Sequence, residues 1–200
     1  MKYKLTDETM TTESGIVLHR IECVNAFSNV KVGEKGGFVE KEENLSQYNN
    51  CWVCENARVY GDACVFGNAR VCENARVCEN ARVYENARVY ENASVYGNSS
   101  VHGDALVCGD ARVCGDAILC GDAIIKNGND YIVFKNKWSS GRDFTWTRSN
   151  DMWKVGCFYG TGKELIEKAY KDSKLSGDCY KAYVELVDKL KEIQNKYDYL

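Results

Sequence analysis

Arg70-Val71-Cys72-Glu73-Asn74-Ala75-Arg76-Val77-Cys78-Glu79-Asn80-Ala81-Arg82-Val83-Tyr84-Glu85-Asn86-Ala87 holds three copies of one six-residue unit. The unit recurs thirteen times through residues 51–128. Valine stands at 53, 59, 65, 71, 77, 83, 89, 95, 101, 107 and 113, followed by Leu119 and Ile125. Two places before each comes a small residue: Cys51, Ser99, or Ala at 57, 63, 69, 75, 81, 87, 93, 105, 111, 117 and 123. An unbroken short period marks a solenoid.

On a strand, successive side chains point to opposite faces, so the small residue and the Val two places on share a face. That face is the interior. The Glu/Gly-Asn/Asp pair that follows is turn chemistry, because Gly, Asn and Asp tolerate the left-handed conformation of a sharp corner. Each hexad is therefore one short strand and one corner. Three hexads close a triangular coil of 18 residues, and thirteen hexads give a little over four coils. With strand neighbours about 4.8 Å apart, the stack is ~20 Å tall. A column of Val methyls and Ala leaves no room for a ligand inside, which assigns function to an outer face, a corner or an appendage.

Val59-Tyr60-Gly61-Asp62-Ala63 and its copies resemble the hexapeptide repeat of left-handed parallel β-helix proteins, best known from acyltransferases. The resemblance implies a left-handed parallel β-helix and so a mainly β fold for the repeat. The opening Tyr-Lys-Leu-Thr-Asp-Glu, the Gly-Gly-Phe-Val-Glu-Lys-Glu-Glu-Asn-Leu-Ser segment and the Trp-Thr-Arg-Ser-Asn-Asp-Met-Trp-Lys-Val-Gly-Cys segment look like uncharacterised phage, prophage and gut-bacterial proteins. The hexads also resemble proteins labelled as transferases, and a fold label does not establish a reaction.

Outward from the repeat, residues 1–50 read as a strand-rich cap, with strands at Lys2 to Leu5 and Ile16 to Val24; solenoids need capped ends. Val39 and Leu45 already keep the six-residue spacing, and Leu45 to Val53 is two longer, placing a bulge at 46–50. Residues 129–200 read as a small α+β domain. Its elements are a strand at Tyr131 to Phe134, a hairpin of Phe144 to Thr147 with Met152 to Val155, and two helices. Thr161 and Glu164 form a capping box. The second helix runs from about Asp178 to Lys196, with Tyr183, Leu186, Val187, Leu190, Ile193 and Tyr197 as its stripe. In the later coils Leu106, Ile118 and Ile124 replace outward Arg and make an apolar patch that calls for a cover.

The chain has no Pro, consistent with a stack that uses its backbone N–H groups for ladder bonds. The first residues lack an apolar h-region and no run approaches ~20 apolar residues, so a soluble cytoplasmic protein is expected. Eleven Cys form an odd number. The 18-residue spacing puts Cys54 over Cys72 at disulfide distance, and in a reducing cytosol free thiols are expected.

Hexapeptide acyltransferases use a His base and bind coenzyme A. The resemblance makes His102 the one weak catalytic candidate here, and acetyl-CoA a cofactor only on that alternative; otherwise none is expected. His102 shares an outward column with Phe66, Tyr84 and Cys120. The related carbonic-anhydrase branch needs three His, and the chain has two. Cys51-Trp52-Val53-Cys54 sends its thiols to opposite faces of a strand, so no metal site is expected. Gly160-Thr161-Gly162-Lys163 has Glu164 where a phosphate loop needs Ser or Thr. Nucleic acid is not an expected partner either: residues 51–126 carry seven Lys or Arg against ten Asp or Glu, a net of −3. On this reading the Arg and the corner Glu screen one another.

Trp138, Ser140, Arg142, Asp143, Trp146, Arg148 and Trp153 form the densest functional-looking cluster. They read either as a binding groove or as the core of a domain of about 70 residues. The reading is a non-catalytic scaffold, phage or prophage encoded, that presents an outer face or the C-terminal domain to a protein partner, with no membrane contact and as a monomer or trimer. The alternative is an acyltransferase-like enzyme using His102.

Overall fold

The computed structural model describes residues 1–197. The chain divides into two compact units: Met1–Tyr131 with Thr147–Asn150, and Ile132–Trp146 with the residues from Asp151 onward.

The first unit begins with a hairpin of β1 (Tyr3–Thr11) and β2 (Val17–Cys23), then β3 (Lys35–Val39). Thirteen two-residue strands follow, β4 (Trp52–Val53) to β16 (Ile124–Ile125), one every six residues. They stack as three parallel sheets in steps of 18, for example Arg70↔Arg88↔Leu106↔Ile124 along one face. β3 pairs parallel with β5 (Arg58–Val59) through Val39↔Val59, and Leu45 bridges Val65. Val39, Leu45 and Val53 therefore make a first coil ahead of the regular hexads, and the two extra residues at 46–50 are absorbed between them. The inward positions are filled as the alternation requires: every Ala, and every Val, Leu or Ile two places after the small residue, is 0–1% exposed.

The corners differ in one respect from the sequence reading. The left-handed residue is the Glu or Gly, with φ of 55–61° at Glu55, Glu73, Glu79, Glu85 and Glu91 and 64–74° at the corner glycines from Gly61 to Gly121. The following Asn or Asp does something else. Its side chain builds a ladder along the corner: Asn50 Nδ2 donates to Asn68 Oδ1 (3.2 Å), Asn68 to Asn86 (3.0 Å) and Asn86 to Asp104 (3.1 Å). The other two corners repeat this, Asn74 to Asn92 to Asp110 and Asn80 to Asn98 to Asp116. Each of these runs ends on an Asp, which only accepts. The switch from Asn to Asp along the chain thus terminates the ladders.

The cap closes over the first coil because Gly36 and Gly37 have no side chains. A Cβ on Gly36 would lie 2.6 Å from Val53 O, and one on Gly37 2.6 Å from Ala57 O. Trp52, outward on its strand, is 1% exposed because Tyr3 and Phe27 pack edge-on against it at 6.2 and 5.5 Å. Lys2 is buried too, its Nζ donating to Cys51 O (2.8 Å) and Cys51 Sγ (3.2 Å), and burial lowers its pKa. At the far end the turn Thr147–Asn150 belongs to this unit: Ser149 Oγ accepts from Ile124 N (2.8 Å) and Asn150 Nδ2 donates to Asp122 (2.8 Å). Of the outward aliphatic residues, Leu106 and Ile118 are half-buried and Ile124 is 40% exposed.

The second unit is the anticipated small α+β fold. A sheet of β17 (Tyr131–Lys135), β18 (Asp143–Thr147), β19 (Met152–Val155) and β20 (Phe158–Thr161) is followed by α1 (Gly162–Asp172) and α2 (Lys174–Tyr197). Its core is Phe144, Trp146, Trp153, Val155, Leu165, Ala169, Tyr180, Val184 and Val187. The face of α2 that packs is therefore Tyr180, Tyr183, Val184 and Val187, which includes Tyr183 and Val187 of the expected stripe, while Leu186, Leu190 and Ile193 stay 41–44% exposed. The packed face is turned by part of a helical turn from the expected stripe, toward the aromatic core.

Candidate functional site

The outward side chains after each Val form columns, one residue per coil. In one column Phe66 and Tyr84 stack at 4.8 Å with 1° between ring planes, and Tyr84 and His102 at 4.7 Å with 10°. Cys120 occupies the next coil, in register through His102 N to Leu119 O at 2.9 Å. Burial pushes the Tyr84 phenol pKa up, and the Glu85 carboxylate adds to it.

His102 is not alone in this column. Its Nδ1 lies 3.5 Å from Glu85 Oε2, and the same oxygen accepts the Gly103 N–H at 2.7 Å. Glu85 reaches the next coil because its backbone is left-handed, φ 58°, at the corner. A carboxylate on the Nδ1 side favours the tautomer with Nδ1–H toward it and leaves Nε2 as the acceptor, the arrangement of an oriented general base. The His102 side chain keeps 16% exposure. Glu85 was not singled out from the sequence. The available signal was the column order, Glu85 standing one coil before the Gly that follows His102.

Glu79, Glu85 and Glu91 accept from the N–H groups of Gly97, Gly103 and Gly109 one coil on. Cys54 and Cys72, which the 18-residue spacing stacks, have their Cα atoms 4.7 Å apart through the strand register, within disulfide reach. Among the described residues the other nine cysteines lie outside any such pair, and no group of three His, Cys, Asp or Glu could hold a metal.

The C-terminal cluster is divided rather than gathered. Trp146 (3% exposed) and Trp153 (2%) are core, so the binding role suggested for them gives way to packing, as the area a small domain must bury demands. Trp146 Nε1 donates to Asp151 (2.8 Å), whose other oxygen accepts from Lys191 (2.8 Å). Asp143 is half-buried and Arg142 exposed, whereas Arg148 falls in the first unit. Trp138 is 81% exposed, on a loop tied down by buried Asn136, which donates to Ser139 (2.8 Å) and Ser140 (3.1 Å) and accepts from Trp138 N (3.2 Å). Ser140 in turn bonds the Tyr180 hydroxyl at 2.8 Å.

Fold and register together define a hexapeptide-repeat β-solenoid protein. The model of the YdcK beta solenoid repeat matches residues 57–73 and 75–91, two stretches each one residue short of a coil. The chain is similar to "Uncharacterized acetyltransferase YdcK" of Escherichia coli (strain K12), 31% identical over 68 residues, which cover 30% of this chain and 21% of that protein. The match thus spans about a fifth of the length of that curated relative.

Proposed function

We propose that this chain is a non-catalytic β-solenoid scaffold, phage or prophage encoded, that presents an outer face or its C-terminal unit to a protein partner in the cytoplasm. The observation that carries the reading is the filled interior, 0–1% exposed at every inward Ala and aliphatic position of the hexads. All chemistry is thereby left to the outside. Trp138 on its fastened loop, and Leu186, Leu190 and Ile193 along α2, supply the aromatic and aliphatic contacts that anchor protein interfaces. Among the described residues no helix is long and apolar enough to cross a membrane. Affinity capture from lysate with the wild type and Trp138→Ala tests this. A partner held by the wild type and lost by the variant is expected, and no specific partner for either would overturn the reading.

The Glu85–His102 pair favours a second reading, an acyltransferase of the hexapeptide type with acetyl-CoA as donor. His102 Nε2 would take the proton of the acceptor nucleophile while Glu85 holds the ring. Coenzyme A titration separates the two. Affinity lost in His102→Ala would favour the enzyme, and none at millimolar coenzyme A the scaffold.

A further inference from the structure

Arg70 and Arg88 lie in register on neighbouring strands of one solenoid face. Neighbouring strands run about 4.8 Å apart, so the two side chains start close together with like charge. Among the described residues neither makes an ion pair with a carboxylate. Glu91, the corner carboxylate that follows Tyr90, accepts from Gly109 N. Arg70 is steered by neutral groups: its Nη2 donates to Asn29 Oδ1 and to Ser28 Oγ. Ser28 and Asn29 belong to the loop between β2 and β3, and Ser28 is held at φ 48°.

The two guanidinium groups open on a groove of about 580 Å³ walled by Ser28 and Tyr90 and lined by Asn68 and Asn86. That volume lies within the ~300–1,000 Å³ of small-ligand pockets. Along it runs the ladder Asn50, Asn68, Asn86, Asp104, in which each amide nitrogen commits one hydrogen to the next residue. An amide carries two, so the second is free for a ligand oxygen. A pair of forks without a counter-ion, beside a row of neutral donors and a phenol, matches one compact dianion attached to a hydroxyl-bearing body. A polyanion fits worse, since Asp104 also lines the groove and the solenoid around it is net negative.

We propose that this groove binds a sugar phosphate, with the phosphate between Arg70 and Arg88 and the sugar hydroxyls on Asn68, Asn86 and Tyr90. The site is independent of whether the chain acts as scaffold or transferase. The test is isothermal titration of the full chain with ribose 5-phosphate, with ribose and inorganic phosphate as controls. Ribose 5-phosphate is expected to bind, at least tenfold more weakly in Arg88→Leu and more weakly at high salt. Arg88 is exposed, so this variant leaves the coil intact. Arg82→Leu, on a different face, should match the wild type within twofold. No binding at millimolar ribose 5-phosphate, or equal binding by Arg88→Leu, would overturn the site. Inorganic phosphate binding as tightly as the ester would overturn the sugar assignment.

Discussion

Ala87 lies inside a coil whose other inward positions are Val and Ala at no exposure, so Ala87→Leu must place three more heavy atoms where a methyl fits. Overpacking of this kind costs about 1–3 kcal/mol, to be read from urea denaturation. Arg88→Ala, one residue on and exposed, should stay within about 0.5 kcal/mol of wild type. The corner residues make a sharper prediction. Gly97 has φ 74°, and a Cβ there would meet Gly115 N at 2.8 Å, so Gly97→Ala should lose about 1–2 kcal/mol. Asn86→Asp removes the donor of a ladder step and faces two carboxylates across it, with an expected loss of about 0.5–1.5 kcal/mol that shrinks in high salt. The inward pattern could be read from sequence because side-chain alternation permits only one assignment of Val and Ala. The left-handed position could not, since both members of the Glu-Asn or Gly-Asp pair sit at the corner. Which one turns is decided by the carboxylate and amide contacts to the next coil, 18 residues away.

Short elements carry their own instructions where the chemistry is local. The capping box at the start of α1 forms as read: Thr161 Oγ1 accepts from Glu164 N (3.3 Å) and Glu164 Oε2 accepts from Thr161 N (2.9 Å). Thr161→Ala should cost about 1 kcal/mol in thermal or chemical denaturation. The same bonds hold the Glu164 carboxyl below its ordinary pKa, first through the Thr161 N–H and then its hydroxyl. A folded-state pKa below the unfolded one means the unfolded chain binds more protons in acid. The contribution of Glu164 is therefore present above about pH 4.3 and lost as pH falls through the depressed value. Thr161→Ala should flatten that part of the acid denaturation curve. α2 begins before its expected start because Gly177, a turn signal in isolation, lies inside the helix. A Cβ on it would sit 2.1 Å from Tyr170 Cδ1, so the glycine is spent on the close approach of two helices. No local pattern announces that contact.

For the whole molecule, one relation does most of the work: residues 18 apart are neighbours. It places Val over Val, Asn over Asn, Phe66 over Tyr84 over His102, and Arg70 beside Arg88. The columns were legible once the period was known. The candidate sites were legible only in part. His102 could be placed, but Glu85 joins it through a left-handed corner and a side-chain direction that the period does not specify. The Arg70–Arg88 groove needs Ser28 and Asn29, which come from a loop outside the repeat. The C-terminal cluster was read as residue types in a row, and burial separated Trp146 and Trp153 from Trp138. The 18-residue register is best tested by nuclear Overhauser contacts between backbone protons in isotope-labelled protein. Contacts linking residue i to i+18 should run through positions 53 to 125, for example Val71 with Val89 and Val89 with Val107. Contacts at another separation, or helical contacts between residues three apart in this stretch, would contradict the stacked coil.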